Sequence, residues 1–190
     1  ESDVSLKPEG LLLVDSGGHY LEGTTDITRT FALGPVTDEM KDMFTRVCRS
    51  NMNLAHAKFK YGCCGLNFDI LARAPFWDIN MDYNHGTGHG VGFVLNVHEG
   101  PNSFHWKQYP GRTAERVLEE GMITTDEPGI YLEGRFGIRT ENELICRKGI
   151  KNEYGQFMYF ENVTYVPIDL DAIDPDQMSP QEKKYLNDYH

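Results

Sequence analysis

The sequence predicts an α+β fold, on three observations. An aliphatic run and a β-branched run near the start suit a pair of neighbouring strands. Two stretches between residues 37 and 77 carry helical apolar spacing, and from Gly121 onward the texture turns to β.

Each element has its own reason. Leu11, Leu12, Leu13 and Val14 form a strand-sized apolar run that reads as a buried strand entering a turn at Asp15-Ser16-Gly17-Gly18. Thr24 to Phe31 is rich in β-branched residues and reads as the next strand. Asp15 and Asp26 are thus expected on neighbouring antiparallel strands, joined by a hairpin-like turn containing Gly17, Gly18 and Gly23. Gly34-Pro35 stops the second strand. Thr37 is a good N-cap, with Asp38 and Glu39 in the first turn, where the helix dipole favours negative charge. Met40, Phe44, Val47, Met52, Leu54 and Ala55 then predict a helix to about residue 60. Gly62 and Gly65 break it. Asn67 is expected to cap a shorter helix through Ile70, Leu71 and Ala74, with Trp77 packed beneath. The glycine- and histidine-rich stretch 84–100 is too irregular to assign. Strands are predicted at 122–125, 137–146 and 157–166, and a last helix opens with Ser179 as N-cap and Pro180 at its first position.

Composition sets bounds on function. A chain of 190 residues with 39% hydrophobic and 12% aromatic residues can bury the core of one domain. Mean hydropathy is −0.50, and no apolar run approaches the roughly 18 residues of a bilayer span, which excludes a membrane helix for these residues. A formal net charge of −11 argues against nucleic acid, whose phosphates require a basic surface. Cys48, Cys63, Cys64 and Cys146 form no C-x-x-C pair and suit reduced thiols in a cytoplasmic protein.

Five positions carry the chemistry: Asp15, Asp26, His89 in the segment His85-Gly86-Thr87-Gly88-His89, Glu127 in Thr125-Asp126-Glu127-Pro128-Gly129, and Glu141 in Ile138-Arg139-Thr140-Glu141. Aspartate is depleted in strands, so one such residue reads as a turn or cap, but four carboxylates and an imidazole at strand edges read as a metal site. Four carboxylates brought together repel unless cations lie between them, and two divalent ions match their charge. Oxygen-rich ligation with one imidazole suits manganese, zinc, cobalt or ferrous iron rather than a thiolate-type zinc site.

The order Asp, Asp, His, Glu, Glu resembles the metallopeptidases of the pita-bread fold. Within them, Asp15 to Tyr20, Gly23 to Thr30, His85 to Gly92, Leu95 to Pro101, Thr125 to Tyr131 and Gly137 to Glu141 resemble aminopeptidase P. Phe160-Glu161, Val166-Pro167-Ile168 and Tyr185 to His190 resemble the end of its long, three-domain members. The resemblance implies a curved antiparallel sheet with helices on its outer face, and residues 1–190 as a C-terminal metallopeptidase catalytic domain. It implies hydrolysis of an N-terminal Xaa-Pro bond by a hydroxide bridging two divalent metals, manganese first, with zinc or cobalt as alternatives. The implied partners are peptides with proline at position two. By this resemblance Asp15 chelates one ion, His89 and Glu127 the other, and Asp26 and Glu141 bridge both. His85 shapes the proline pocket, His98 bonds the scissile carbonyl, Glu127 also relays protons, and Arg139 braces a bridging carboxylate. Glu143 is a reserve ligand sharing the face of Glu141. His19 reads as a turn residue, His56 as surface or core edge, and Glu99, His105 and Trp106 as loop and rim.

The sequence departs from the family in one respect. Members carry a further stretch before the first ligand aspartate, with a histidine near the site. Here only fourteen residues precede Asp15, none of them histidine, and the chain begins at Glu1 without methionine. The expectation is an N-terminally truncated domain of little activity by itself, with a sheet edge open to a second copy in a homodimer. The rivals are a prolidase acting on Xaa-Pro dipeptides, a metal-free binding module and a creatine-hydrolysing relative.

Overall fold

The computed structural model describes residues 3–108 and 116–190. The chain opens with a hairpin of β1 (Leu11–His19) and β2 (Thr24–Ala32), followed by the long helix α1 (Asp38–Ala55). A short strand β3 (Lys58–Lys60) leads through a 3-10 turn at Gly65–Asn67 to α2 (Asp69–Trp77). Strands β4 (Gly88–Val91), β5 (His98–Phe104), β6 (Ile123–Asp126), β7 (Gly129–Leu132), β8 (Phe136–Arg139), β9 (Asn142–Asn152) and β10 (Gly155–Asn162) follow, and α3 (Pro180–Tyr189) closes the chain. The central sheet has the order β3-β10-β9-β6-β4-β5, and β1-β2 and β7-β8 form two-stranded sheets. Every pairing is antiparallel, which confirms the α+β expectation.

Helix α1 starts where its cap predicts, with the Thr37 hydroxyl accepting the Met40 N–H (3.2 Å). Its apolar stripe buries Phe44, Val47, Met52 and Leu54 against β6, β7, β8 and β10, while α2 and α3 pack on it. Burying each such side chain contributes about 1.5–3 kcal/mol. One core cluster joins α1 to Ile130, Ile138, Ile168 and Leu186. A second joins the end of α1 to Phe59, Phe68, Phe104, Leu144 and Phe160. Ser179 caps α3 as predicted, in a reciprocal box with Glu182. No described helix is long and apolar enough to cross a membrane.

Several expectations need correction. β1 does not turn at Asp15-Ser16-Gly17-Gly18 but runs on to His19, so Gly17 and Gly18 lie in the strand and the turn is Tyr20–Gly23. Nor is it buried: Val14 is 40% exposed, and among the described residues no strand pairs with the outer edge of β1. Helix α1 stops at Ala55, where the His56 N–H closes on the Met52 carbonyl and the Ala57 N–H on that of Leu54, and Lys58–Lys60 leaves as a strand. Asn67 does not cap α2. Its Oδ1 turns back to the Cys64 N–H (2.8 Å) and closes the 3-10 turn instead. Trp77 is not beneath α2 but 37% exposed, edge-on to Trp106. The predicted strand 137–146 is two strands, β8 and β9, with Thr140 and Glu141 in the break between them. The last strand ends at Asn162 rather than 166.

Candidate metal centre

The β1-β2 register decides where the two aspartates point. Asp15 lies opposite Thr28, and Asp26 lies opposite Gly17. Directly opposed residues share a face, and so do residues two apart along a strand. Asp15, Gly17, Asp26 and Thr28 therefore project from one face as a diagonal quartet, which is the structural content of the eleven-residue step between the aspartates. The remaining positions come from separate elements: His89 from β4, Glu127 from the residue after β6, and Glu141 from the break between β8 and β9. Gly88 lets β4 close on β6, since a Cβ there would sit 1.7 Å from the Thr125 carbonyl oxygen.

Three of these positions converge. Asp26, His89 and Glu141 each offer one ligand atom, and the three atoms lie within 4.8 Å of one another. His89 Nε2 is 3.4 Å from Asp26 Oδ2 and 3.3 Å from Glu127 Oε1. Its other nitrogen, Nδ1, lies 3.0 Å from the Gly90 carbonyl oxygen, and donating there leaves Nε2 free to face the carboxylates. Asp15 is the outer member, its side chain 51% exposed and held by Arg139 Nη2 at 2.5 Å.

Two threonines set the carboxylates. The Thr28 hydroxyl donates to Glu141 Oε2 (2.5 Å) and accepts from Arg139 Nε (3.0 Å). The Thr125 hydroxyl donates to Glu127 Oε1 (3.0 Å) and accepts the His89 N–H (3.0 Å). Arg139 thus braces Asp15 directly and Glu141 through Thr28, and Tyr131 accepts from its Nη1 (2.8 Å). Arg29, itself buried, fixes the backbone at Glu141 by donating to the carbonyls of Thr28 (2.8 Å) and Glu141 (2.7 Å).

The electrostatics are those of crowded acids. Burial, then repulsion from Glu127, pushes Glu141 up to about 8, against the pull of the Thr28 hydroxyl. Burial also raises Glu127, with His89 opposing it. Burial lowers His89, but its hydrogen bonds to the Asp26 carboxylate and the Gly90 carbonyl, with the neighbouring carboxylates, raise it overall. Such carboxyls favour a proton or a cation between them. One imidazole, several carboxylate oxygens and no thiolate make a donor set that fits a divalent oxygen-seeking metal.

Beside the cluster opens a cavity of about 410 Å³, lined by His85, His89, Ser103, Phe104, His105 and Glu127 among others. His85 stands between the rings of Tyr83 (4.9 Å) and Tyr131 (5.5 Å). The His98 ring meets the His89 ring edge-on at 4.3 Å. Glu143 is buried and pushed up to about 7, chiefly by burial, but it accepts from the Asp26 backbone N–H and is not among the three convergent donors.

The model of metallopeptidase family M24 matches residues 1–148, and that of the C-terminal region of peptidase M24 matches residues 156–190. The chain belongs to metallopeptidase family M24. Among M24 relatives, aminopeptidase P1 of Arabidopsis thaliana is 41% identical over 194 residues, covering 100% of this chain and 30% of that protein. Xaa-Pro aminopeptidase 1 of Dictyostelium discoideum is 41% identical over 184 residues, covering 96% and 29%. The crystal structure of X-prolyl aminopeptidase from Caenorhabditis elegans, described as a cytosolic enzyme with a di-nuclear active site, has a TM-score of 0.87 and 37% identity over 96% of this chain and 29% of that one. The prolidase of Pyrococcus horikoshii follows with a TM-score of 0.70 and 28% identity, over 89% and 44%. This M24 chain therefore has the pita-bread fold and spans about 30% of the length of the curated relatives it matches.

Within this M24 site, Thr28, Thr125 and Tyr131 escaped the sequence reading, and His105, read as rim, is buried and lines the cavity. A faint signal exists: each threonine stands two residues from a ligand candidate, in Asp26-Ile27-Thr28 and Thr125-Asp126-Glu127. His19 bonds Thr24 at the hairpin end (3.0 Å), and His56 stacks on Tyr185 (3.6 Å), both as expected of bystanders.

Proposed function

We propose that this chain carries the metal-binding catalytic region of an Xaa-Pro aminopeptidase, acting on peptides with proline at position two. The observation that carries the reading is the meeting of Asp26, His89 and Glu141 within 4.8 Å, with Glu127 on His89, at the edge of a cavity. In this reading Asp15 holds one divalent ion, His89 and Glu127 the other, and Asp26 and Glu141 serve both, with manganese ahead of zinc or cobalt. When bound, two such ions activate water and polarise the carbonyl to be cleaved.

The protein's own groups do the rest. Thr28, Thr125 and Arg139 hold the carboxylates in place. Glu127, at the edge of the cavity, takes the proton that the attacking water loses and returns it to the departing proline nitrogen. His98, beside His89, donates to the oxygen on which charge develops. Proline offers no backbone N–H, so recognition falls on its ring, and His85 between two tyrosines offers a flat, mostly apolar wall. The description of the worm relative supports a cytoplasmic setting. The outer edge of β1, which pairs with no strand among the described residues, supports a homodimer.

The test is cleavage by the metal-loaded full-length protein of a tripeptide Xaa-Pro-Xaa against the dipeptide Xaa-Pro, with metal content after dialysis. The tripeptide should be cut, and Glu127→Gln should abolish the cut and weaken retention of the ion that Glu127 shares with His89. Cleavage of the dipeptide alone selects a prolidase, towards which the horikoshii likeness points. No retained metal and a harmless Asp15→Ala select a binding module.

A further inference from the structure

Helix α2 ends in an irregular segment, 81–87, that carries His85 to the cavity before β4 begins. Such a segment has no strand ladder for its carbonyl groups, and a buried carbonyl without a partner is costly. Arg73 supplies those partners. Its side chain is 0% exposed, and it donates through Nη1 to the Tyr83 carbonyl (2.8 Å) and through Nη2 to the His85 carbonyl (2.6 Å). Nε binds Asp69 Oδ1 (2.5 Å), Nη1 also binds Asp82 Oδ1 (2.6 Å), and the guanidinium lies over the Tyr83 ring at 4.0 Å.

The same brace reaches the other end of the segment. The second oxygen of Asp69 accepts from the Thr87 hydroxyl, which also lies 2.6 Å from the Tyr83 hydroxyl. Thr87 then donates its N–H to the Phe104 carbonyl (2.9 Å), and its carbonyl accepts the Glu127 N–H (2.8 Å). Fully buried ion pairs are weak stability devices, since apolar replacements are often neutral or better. A fixed planar fork that captures two loop carbonyls is instead suited to placing a backbone.

We propose that Arg73, clamped by Asp69 and Asp82, is the positioning residue that sets the His85 ring against the substrate cavity, so that its loss is felt in substrate affinity and not in metal binding. The proposal rests on the peptidase reading above. Lysine keeps the charge but has no planar fork to span both carbonyls and both carboxylates. Arg73→Lys in the metal-loaded protein should raise KM for an Xaa-Pro-Xaa tripeptide about tenfold, with kcat within about twofold and metal content unchanged. The His85 imidazole resonances should shift, and in a His85→Ala background Arg73→Lys should leave KM where it is. Asp82→Asn, at the partly exposed end of the clamp, should show a smaller change of the same sign and decides the matter should Arg73→Lys fail to fold. Unchanged KM and unchanged His85 resonances in the folded variants, with only thermal stability lowered, would overturn it. A wild-type protein that cuts no Xaa-Pro bond would sink the peptidase reading alone, since the His85 resonances still report on the clamp.

Discussion

Replacing Thr28 by valine tests whether the hydroxyl relays beneath the carboxylates matter. Thr28 is 0% exposed, and valine keeps its shape while removing one oxygen. Two bonds go with it: the 2.5 Å donation to Glu141 Oε2 and the 3.0 Å acceptance from Arg139 Nε. A hydrogen bond to a charged group contributes about 1.5–3 kcal/mol. With Glu141 ionised around a metal, that corresponds to a loss of about 10–100-fold in metal affinity, the range typical of groups supporting a ligand. The metal-free protein, with a buried carboxyl oxygen left without its partner, should lose about 1–3 kcal/mol, or about 2–4 °C of Tm per kcal/mol for a chain of this size. Calorimetric titration with Mn²⁺ reads the first effect and thermal melting the second. Thr45→Val is the control: equally buried, its hydroxyl accepts only the Asp174 N–H (2.8 Å) in the described residues, so it should cost stability and spare metal affinity. Thr28→Val binding metal within twofold of wild type would refute the relay.

Three further outcomes are expected. Gly88→Ala should destabilise the fold by 1–3 kcal/mol or more in urea titration, because its methyl meets the Thr125 backbone and displaces His89. His56 is driven below its ordinary value, chiefly by burial, although its bond to the Met52 carbonyl opposes this. A depressed histidine contributes stability that is complete above the unfolded value of about 6.5 and lost as pH falls through the folded value. His56→Phe, which retains a ring on Tyr185, should therefore flatten the change in urea midpoint between pH 7.5 and 5.5. Burial pushes Cys48 up to about 12 and Cys146 up to about 11, so alkylation of the native protein at pH 8 should label Cys63 and Cys64 and spare the other two until denaturant is added.

Much of this was legible in the sequence where local chemistry decides structure. Thr37 and Ser179 announced two helix starts because a hydroxyl before a helical stripe has few better uses than capping. The meeting of Asp26, His89 and Glu141 was legible because charged groups at strand edges need a reason. Asn67 misled because its oxygen served the nearer N–H of Cys64, a competition decided by the backbone turn and not by residue type. Gly17 and Gly18 suggested a turn, yet they serve a close approach between strands, and a glycine's identity does not distinguish the two uses. The strand break at Thr140-Glu141 was hidden because Thr140 and Glu141 continue the run of the strands on either side of it; long-range bonds, among them that from the Glu141 N–H to the Thr28 carbonyl (3.0 Å), pull it out of line.

That last bond also explains how distant segments share one site. Glu141 leaves its strand so that its backbone can pair with β2, and Arg29 fastens the joint from below while its Nη2 binds Asn142 Oδ1 (2.7 Å) and the Tyr189 hydroxyl of α3 (2.5 Å). Tyr189 in turn bonds the Val166 N–H (3.1 Å). The C-terminal helix, far from the cavity, therefore bears on Glu141 through one guanidinium. Arg29 is neither a ligand nor in the cavity, yet its removal would release the two backbones that carry Asp26 and Glu141. In this fold the acids that repel one another are held together by hydrogen-bonded main chain.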